Sequence, residues 1–371
     1  MKGYRLFAVV PRLLQVIDNL TNWYIRFNRK RLKGAAGLGI DDTKAALNTL
    51  FQVLSTIIRA MAPFTPFLTE HIYGLLKPYL GDVVAQFQDS RSVHFLPFPT
   101  VQEALFNEDI ERKVAVMQKV VQLARMVRER CTIPLKTPLL SLVVIADTQR
   151  ISDVQPLQSY SKEELNIRDV ILTSDEEHYN ILLNARVDWP TLGKKLKKDV
   201  QIVRKALPDL KQEQLKQYLH DKRTTIDGIE LDENDLTVVR VLGKDAAHDT
   251  NEDGPRWEAA FLEDVIVLVD TAPHPELLEE ALARDIITRI QKMGKKAGLV
   301  PTDNIHIQYS IVSNSDDVNI NAVVSSRESQ FTSSLHGTLE QTSDEVSKES
   351  LILEEEQVLG NLTIILRLAK I

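Results

Sequence analysis

The sequence predicts a multidomain α and α+β protein: an N-terminal antiparallel helix bundle, an α+β domain after it, and a small C-terminal β-rich tail. Three observations carry this expectation. Up to Pro134 the apolar residues recur at the three-to-four spacing of helices, in four successive segments. Beyond Pro134 short β-branched apolar runs alternate with helical patterns, as in mixed domains. The chain of 371 residues is also too long for one core, since single cores stop growing near roughly 250–300 residues.

The first helix is expected over residues 12–33. Leu13, Ile17, Leu20, Tyr24 and Phe27 fall on one side at about 100° per residue, and Asn22, Arg26, Arg29 and Lys33 project from the other. The glycines between Gly34 and Gly39 break it. A second helix runs from Asp42 to Met61 on a stripe of Leu47, Leu50, Leu54, Ile57, Ile58 and Met61. Pro63 and Pro66 stop it, and Thr65 with Pro66 reads as an N-cap and first-turn pair opening a third helix through Leu68, Ile72, Leu75 and Leu76. A fourth follows Asn107, with Ile110, Val114, Met117, Val121 and Ala124 aligned.

Strands are expected at Leu139–Ala146, Val170–Leu172, Leu236–Leu242, Val265–Asp270 and Ile305–Ile311, with a hairpin turn at Ile226-Asp227-Gly228-Ile229. Ser161 with Glu164 reads as a capping box that starts another helix. Pro275–Ala297 is a helix closed by Gly298, with Leu278, Leu282, Ile286, Ile290 and Met293 along one side. From Ser325 to Ser350 the composition turns to Ser, Thr, Glu and Gln and reads as a linker. Leu351–Leu353 and Leu362–Leu368 return as strands. The expected domains are therefore 1–134, 135–324, a linker 325–350, and a tail 351–371 able to pack with 305–324.

Composition excludes several classes. A single cysteine, Cys131, rules out an internal disulfide and any zinc site built from several thiolates, which fits a reducing cytoplasm. The longest early uncharged stretch, Ala45 to Ile58, is too short to cross a bilayer, and the apolar start is interrupted at Pro11 and Arg12. Neither secretion nor a membrane is expected. Net charge is −7, yet residues 1–40 hold eight bases against one acid, Asp18. A local basic patch in an acidic chain suits one defined polyanion rather than general coating of DNA or membrane.

No Gly-rich phosphate loop, Gly-x-Ser-x-Gly elbow or His-Glu-x-x-His pair is present, and the eight histidines lack ligand-like spacing. No catalytic residue and no metal site are expected. Cys131 reads as an incidental thiol, and His274, between two prolines, as a helix-opening residue. The chemistry instead concentrates at Asn22-Trp23-Tyr24-Ile25-Arg26-Phe27-Asn28-Arg29-Lys30-Arg31. Arginine forks suit phosphate, while amide and aromatic groups can hydrogen-bond or stack on unpaired bases. Trp23 and Tyr24 could equally be core anchors, and helical phase places Tyr24 in the core. Lys194, Lys195, Lys197 and Lys198 could clamp a phosphate backbone or merely solubilise a turn. Arg289, Lys292, Lys295 and Lys296 lie where cations also complement a helix dipole.

Phe7-Ala8-Val9-Val10-Pro11-Arg12-Leu13, Asp18-Asn19-Leu20-Thr21-Asn22-Trp23-Tyr24-Ile25-Arg26 and Met61-Ala62-Pro63-Phe64-Thr65-Pro66-Phe67 resemble the anticodon-binding bundle of class I aminoacyl-tRNA synthetases. Glu164-Leu165-Asn166-Ile167, Leu192-Gly193-Lys194-Lys195, Lys198-Asp199-Val200 and Glu279-Glu280-Ala281-Leu282-Ala283-Arg284-Asp285-Ile286-Ile287 narrow the resemblance to isoleucyl-tRNA synthetases of the eukaryotic cytosolic type. So does the run through Arg289 and Lys292 to Lys295-Lys296-Ala297-Gly298-Leu299. The bundle motif alone is shared with the valyl and leucyl enzymes. His-Ile-Gly-His and Lys-Met-Ser-Lys-Ser signatures are absent, as are the editing domain and the thiolate-rich zinc element of bacterial relatives.

The resemblance implies a C-terminal part that enters the bundle after its first helix. It would bind isoleucine tRNA at the anticodon stem and loop, with no cofactor of its own. ATP and magnesium would serve a missing catalytic domain. The implied contacts are Trp23, Arg26, Asn28, Arg29 and Arg31, then Lys194, Lys195, Lys197 and Lys198, then Arg284, Arg289, Lys292 and Lys296. A rival reading makes the bundle and the acidic tail a scaffold for protein partners in a multi-synthetase assembly.

Overall fold

The computed structural model describes residues 6–35, 37–81, 89–243, 254–262, 264–300, 303, 305–315, 319–335, 337–342 and 351–370. Lys2, Arg5 and residues 343–350 of the expected linker lie outside them. The chain forms two compact units, Met1–Glu108 and Asp109–Ile371.

In the first unit, helix α1 (Leu6–Asp18) passes into a π-helical segment, Asn19–Ile25, and ends in a short turn, α2 (Arg29–Leu32). The expected helix is present but starts earlier, running through Pro11, and its 3.6-residue period gives way to the wider π turn at Asn19. Helix α3 (Ile40–Met61) follows Gly39, whose φ of 87° only glycine adopts freely. Helix α4 (Pro66–Leu76) opens after Thr65 as expected, although the Thr65 hydroxyl makes no capping bond. Ile58, Ala62, Tyr73, Leu80 and Val93 form the core between α3, α4 and the strand-free segment around residue 93. Glu70 anchors that segment by accepting from the Ser92 hydroxyl (2.7 Å) and the Val93 N–H (3.0 Å).

Helix α5 (Glu108–Arg130) opens the second unit. The sequence groups it with the bundle, whereas its side chains engage the helices that follow the next strand: Arg112 forks onto Asp153, and Arg125 pairs with Glu164. Strand β1 (Leu139–Ile145), helices α6 (Thr148–Val154) and α7 (Gln158–Leu165), and β2 (Ile167–Thr173) make a parallel β-α-β unit. The capping box expected at Ser161 is not there. Ser161 is fully buried inside α7, Glu164 is drawn to Arg125, and Asp147 caps the helical run by accepting from the Arg150 N–H at 2.8 Å. Asn166 ends α7 in the left-handed conformation at φ 51°, a cost asparagine tolerates better than most side chains.

A ribbon of β3 (Ile181–Arg186) and β6 (Thr237–Leu242) carries a small lobe between its strands. The lobe consists of α8 (Trp189–Leu196), α9 (Val200–Ala206), α10 (Gln212–Asp221) and the hairpin β4 (Arg223–Ile226) to β5 (Ile229–Asp232). Asp227 and Gly228 turn that hairpin with φ of 46° and 83°, the geometry expected of Asp-Gly. Strands β7 (Trp257–Leu262) and β8 (Val265–Asp270) complete a first sheet in the order β2-β1-β8-β7. Every residue of β8 is buried, so both faces of the sheet are covered.

Helix α11 (Pro275–Lys296) then packs Ala283, Ile286, Ile290 and Met293 against a second sheet. Its strands are β9 (Ile305–Asn314), β10 (Gly337–Gln341), β11 (Leu351–Leu359) and β12 (Leu362–Lys370), in the order β10-β9-β12-β11. The expected linker is corrected here. Helix α12 (Ile320–Ser326) reaches its start, and helix α13 (Glu328–Leu335) and strand β10 lie within it, because the sparse apolar residues Phe331 and Leu335 enter the core.

Candidate nucleic-acid interface

The basic N-terminal arm is held by a relay of hydrogen bonds that begins at α3. The Tyr24 hydroxyl donates to the Ala46 carbonyl (2.9 Å), and Asn28 Nδ2 donates to the Tyr24 carbonyl (2.9 Å). Asn28 Oδ1 accepts from Arg31 (2.7 Å), whose guanidinium forks onto both oxygens of Asp42 at 2.8 and 2.6 Å. Trp23 is half-buried and meets Phe27 edge to face, with ring centroids 5.4 Å apart. Arg26, Arg29, Lys30 and Lys33 are exposed. Thus Asn28, buried at 7% exposure, and Arg31 set the shape of the arm, while Arg26 and Arg29 present charge outward.

Arg31 holds the Asp42 carboxyl below its ordinary 3.8, first by hydrogen bonding and then by charge. A carboxylate depressed in the fold stabilises it above the ordinary pKa and ceases to do so as pH falls through the lowered value. Melting of the first unit should therefore weaken below about pH 4. Asp42→Asn should be less stable at neutral pH and show a smaller acid-induced change, in thermal melts at pH 6 and pH 3. Equal acid sensitivity in both proteins would remove Asp42 from the account.

The remaining sequence-predicted cations divide by partner. Lys195 contacts Asp232 and the buried Asp235, which hold its ammonium above the ordinary lysine range. Lys194, Lys197 and Lys198 are exposed and pair with no acid among the described residues. Arg284 binds Glu280 and the Asn166 side chain, Arg289 reaches Gln357 and the Val358 carbonyl, and Lys296 pairs with Glu355. Lys292 is exposed. The segments Glu164–Ile167 and Ala283–Ile287 therefore meet: Asn166 accepts from Arg284, Asp285 pairs with Lys136, and Asn166 donates to the Leu135 and Lys136 carbonyls. Among the described residues no cluster of three or more His, Cys, Asp or Glu side chains is placed to hold a metal. Burial, with Glu258 nearby, raises the Cys131 thiol, which makes it a poorer nucleophile at neutral pH.

Residues 1–144 match the family model for the anticodon-binding domain of tRNA ligases. This stretch is therefore similar to the anticodon-binding domains of tRNA ligases. The match covers the whole first unit and continues through α5 into β1, the grouping that sequence periodicity also suggests. Beyond that domain the likeness continues. The chain is 47% identical to the cytoplasmic isoleucine–tRNA ligase of Saccharomyces cerevisiae over 327 residues, 87% of this chain and 30% of the relative. It is 42% identical to that of Schizosaccharomyces pombe over all of this chain and 34% of the relative, and 38% identical to that of Mus musculus over 97% and 28%. The chain thus spans about a third of the length of the curated relatives it matches. The resemblance read from the sequence, including its isoleucyl assignment, is borne out. All three relatives are named cytoplasmic, and no described helix is long and apolar enough to cross a membrane.

Sequence reasoning missed several contributors. Arg128 is 2% exposed and ties the end of α5 to the loop beyond it. Its signal was visible: it lies four residues after Ala124, in phase with the apolar stripe, where a cation requires buried partners. Arg204, stacked 4.8 Å from the Trp189 ring centroid, had no comparable local signal.

Proposed function

We propose that the chain recognises the anticodon stem-loop of isoleucine tRNA on behalf of an isoleucine–tRNA ligase. The observation that carries this is the exposed cationic row of Arg26, Arg29, Lys30 and Lys33 beside half-buried Trp23, within a stretch matching anticodon-binding domains. Guanidinium forks would position phosphates, and Trp23 would offer an aromatic edge to an unpaired base. Asn28 and Arg31 would act by fixing the arm. Lys194, Lys197 and Lys198, with Arg284, Arg289, Lys292 and Lys296, would add contacts from the second unit, and Lys195 would contribute mainly to the fold. Activation of isoleucine with ATP and magnesium would fall to another part of the ligase, since neither nucleotide signature occurs in this sequence.

The test compares isoleucine tRNA with valine and leucine tRNAs, for the wild type and for Arg26→Ala with Arg29→Ala. The wild type should prefer isoleucine tRNA. The double variant should bind at least about tenfold more weakly, with a shallower dependence of log K on log salt, because two phosphates are no longer neutralised. Its melting temperature should change little, as expected for exposed positions. Undiminished tRNA binding by the double variant would refute the assignment of this row.

A further inference from the structure

The helical hairpin α8–α9 keeps most of its cations apart from carboxylates. Residues 189–206 contain Lys194, Lys195, Lys197, Lys198, Arg204 and Lys205 against one acid, Asp199. Among these, Lys195 is neutralised by Asp232 and Asp235 from the neighbouring hairpin. The other lysines and Arg204 are exposed, and none pairs with a carboxylate among the described residues, Asp199 included. Arg204 instead lies over the Trp189 ring, a contact that positions a guanidinium without cancelling its charge.

Each helix is short, eight and seven residues, or roughly 12 Å long. The charges therefore stand within about one or two Debye lengths of each other at physiological salt and repel. Leu192 and Val203 fix the hairpin from below, in a core shared with Ile226 and Leu231, so the charges cannot disperse. At the bend Lys197 adopts φ 53° and ψ −112°, a conformation natural to glycine and costly to lysine. The chain places lysine there nonetheless.

We infer that the α8–α9 hairpin is a second RNA-binding surface that grips the phosphate backbone of tRNA without reading its sequence. Lysines predominate on it, and lysine acts on phosphate as a point charge rather than as a base-reading fork. The proposal rests on the tRNA-binding reading above and adds to it a division of labour. The anticodon-binding domain supplies discrimination, and the hairpin supplies affinity that every tRNA shares.

The experiment uses the full chain and measures binding of isoleucine, valine and leucine tRNAs between about 50 and 300 mM salt, for the wild type and two variants. Lys194→Ala with Lys198→Ala and Lys205→Ala should lower affinity for all three tRNAs by a similar factor, about ten- to a hundredfold at low salt. The salt slope should become shallower by about two to three, near one for each phosphate left without its lysine, and preference for isoleucine tRNA should persist. Lys197→Gly should relieve the bend and melt no lower than the wild type, yet shallow the slope by about one. An unchanged slope and affinity in both variants, with wild-type binding intact, overturns the hairpin proposal and leaves the anticodon reading standing. Absence of tRNA binding by the wild type overturns the anticodon reading and the hairpin proposal with it. Loss of binding to vesicles of phosphatidylserine and phosphatidylcholine, with tRNA binding unchanged, would assign the hairpin to anionic lipid and also overturn the proposal.

Discussion

Replacing Arg128 with alanine should destabilise the second unit by about 4 kcal/mol, because the buried Leu165 carbonyl and the partly buried Thr137 carbonyl lose their donor, at about 1–3 kcal/mol for an unpaired buried group, and the packing of the buried side chain is lost with them. The guanidinium donates from Nη1 to the Pro134 (2.9 Å) and Thr137 (3.1 Å) carbonyls, and from Nη2 to the Thr137 (3.1 Å) and Leu165 (2.6 Å) carbonyls. No carboxylate shares the site among these partners, and burial lowers its pKa to about 10, so it remains cationic at neutral pH. One side chain thereby joins the end of α5, the loop leading to β1 and the end of α7. A loss of about 4 kcal/mol is a large share of an ordinary domain's roughly 5–15 kcal/mol. Arg128→Met should recover only the packing portion, since its thioether cannot donate to the carbonyls. Urea unfolding followed by hydrogen exchange on β1 and α7 would check this. A change under about 1 kcal/mol would mean that water replaces the guanidinium at those carbonyls.

Asp270→Ala should cost the same unit about 2–4 kcal/mol, as two backbone donors are left without their acceptor. Asp270 is 1% exposed. One oxygen accepts from the Arg256 and Ala272 N–H groups at 3.0 Å each, and the other contacts His274 Nε2 at 2.9 Å. The carboxylate thus holds together the start of β7, the end of β8 and the lead into α11. Asp270→Asn keeps an oxygen for the two N–H groups and should lose less than half as much. If both substitutions cost the same in denaturant unfolding, the contact with His274 carries the effect and the N–H pair does not.

These two residues show where the sequence was legible. Periodicity located α3, α4, α5 and α11, and β-branched runs located β1, β8 and β9, because each presents a continuous apolar face. His274 was readable as a helix-opening residue, and it stands immediately before α11. The strands β3, β4, β5, β7 and β10 were not legible from apolar runs, since each is only four to six residues long and mixes polar with apolar positions. The expected linker failed for a related reason: Phe331 and Leu335 are too few to show a period, yet the sheet gives both a place to be buried. At the interface, charge and residue type pointed to Arg26 and Arg29. They could not reveal that Arg31 would be committed to Asp42, or Lys195 to Asp232 and Asp235, because those partners lie 11 to 40 positions away.

Strand β12 lies in the interior of its sheet, hydrogen-bonded to β9 on one side and β11 on the other. A growing polypeptide must release it from the ribosome before that sheet can assemble. Until then Ile286, Ile290 and Met293 of α11 lack the surface that covers them in the finished fold. Burial of this face of α11 should accordingly wait on β12, and the helix should need shielding by chaperones while nascent.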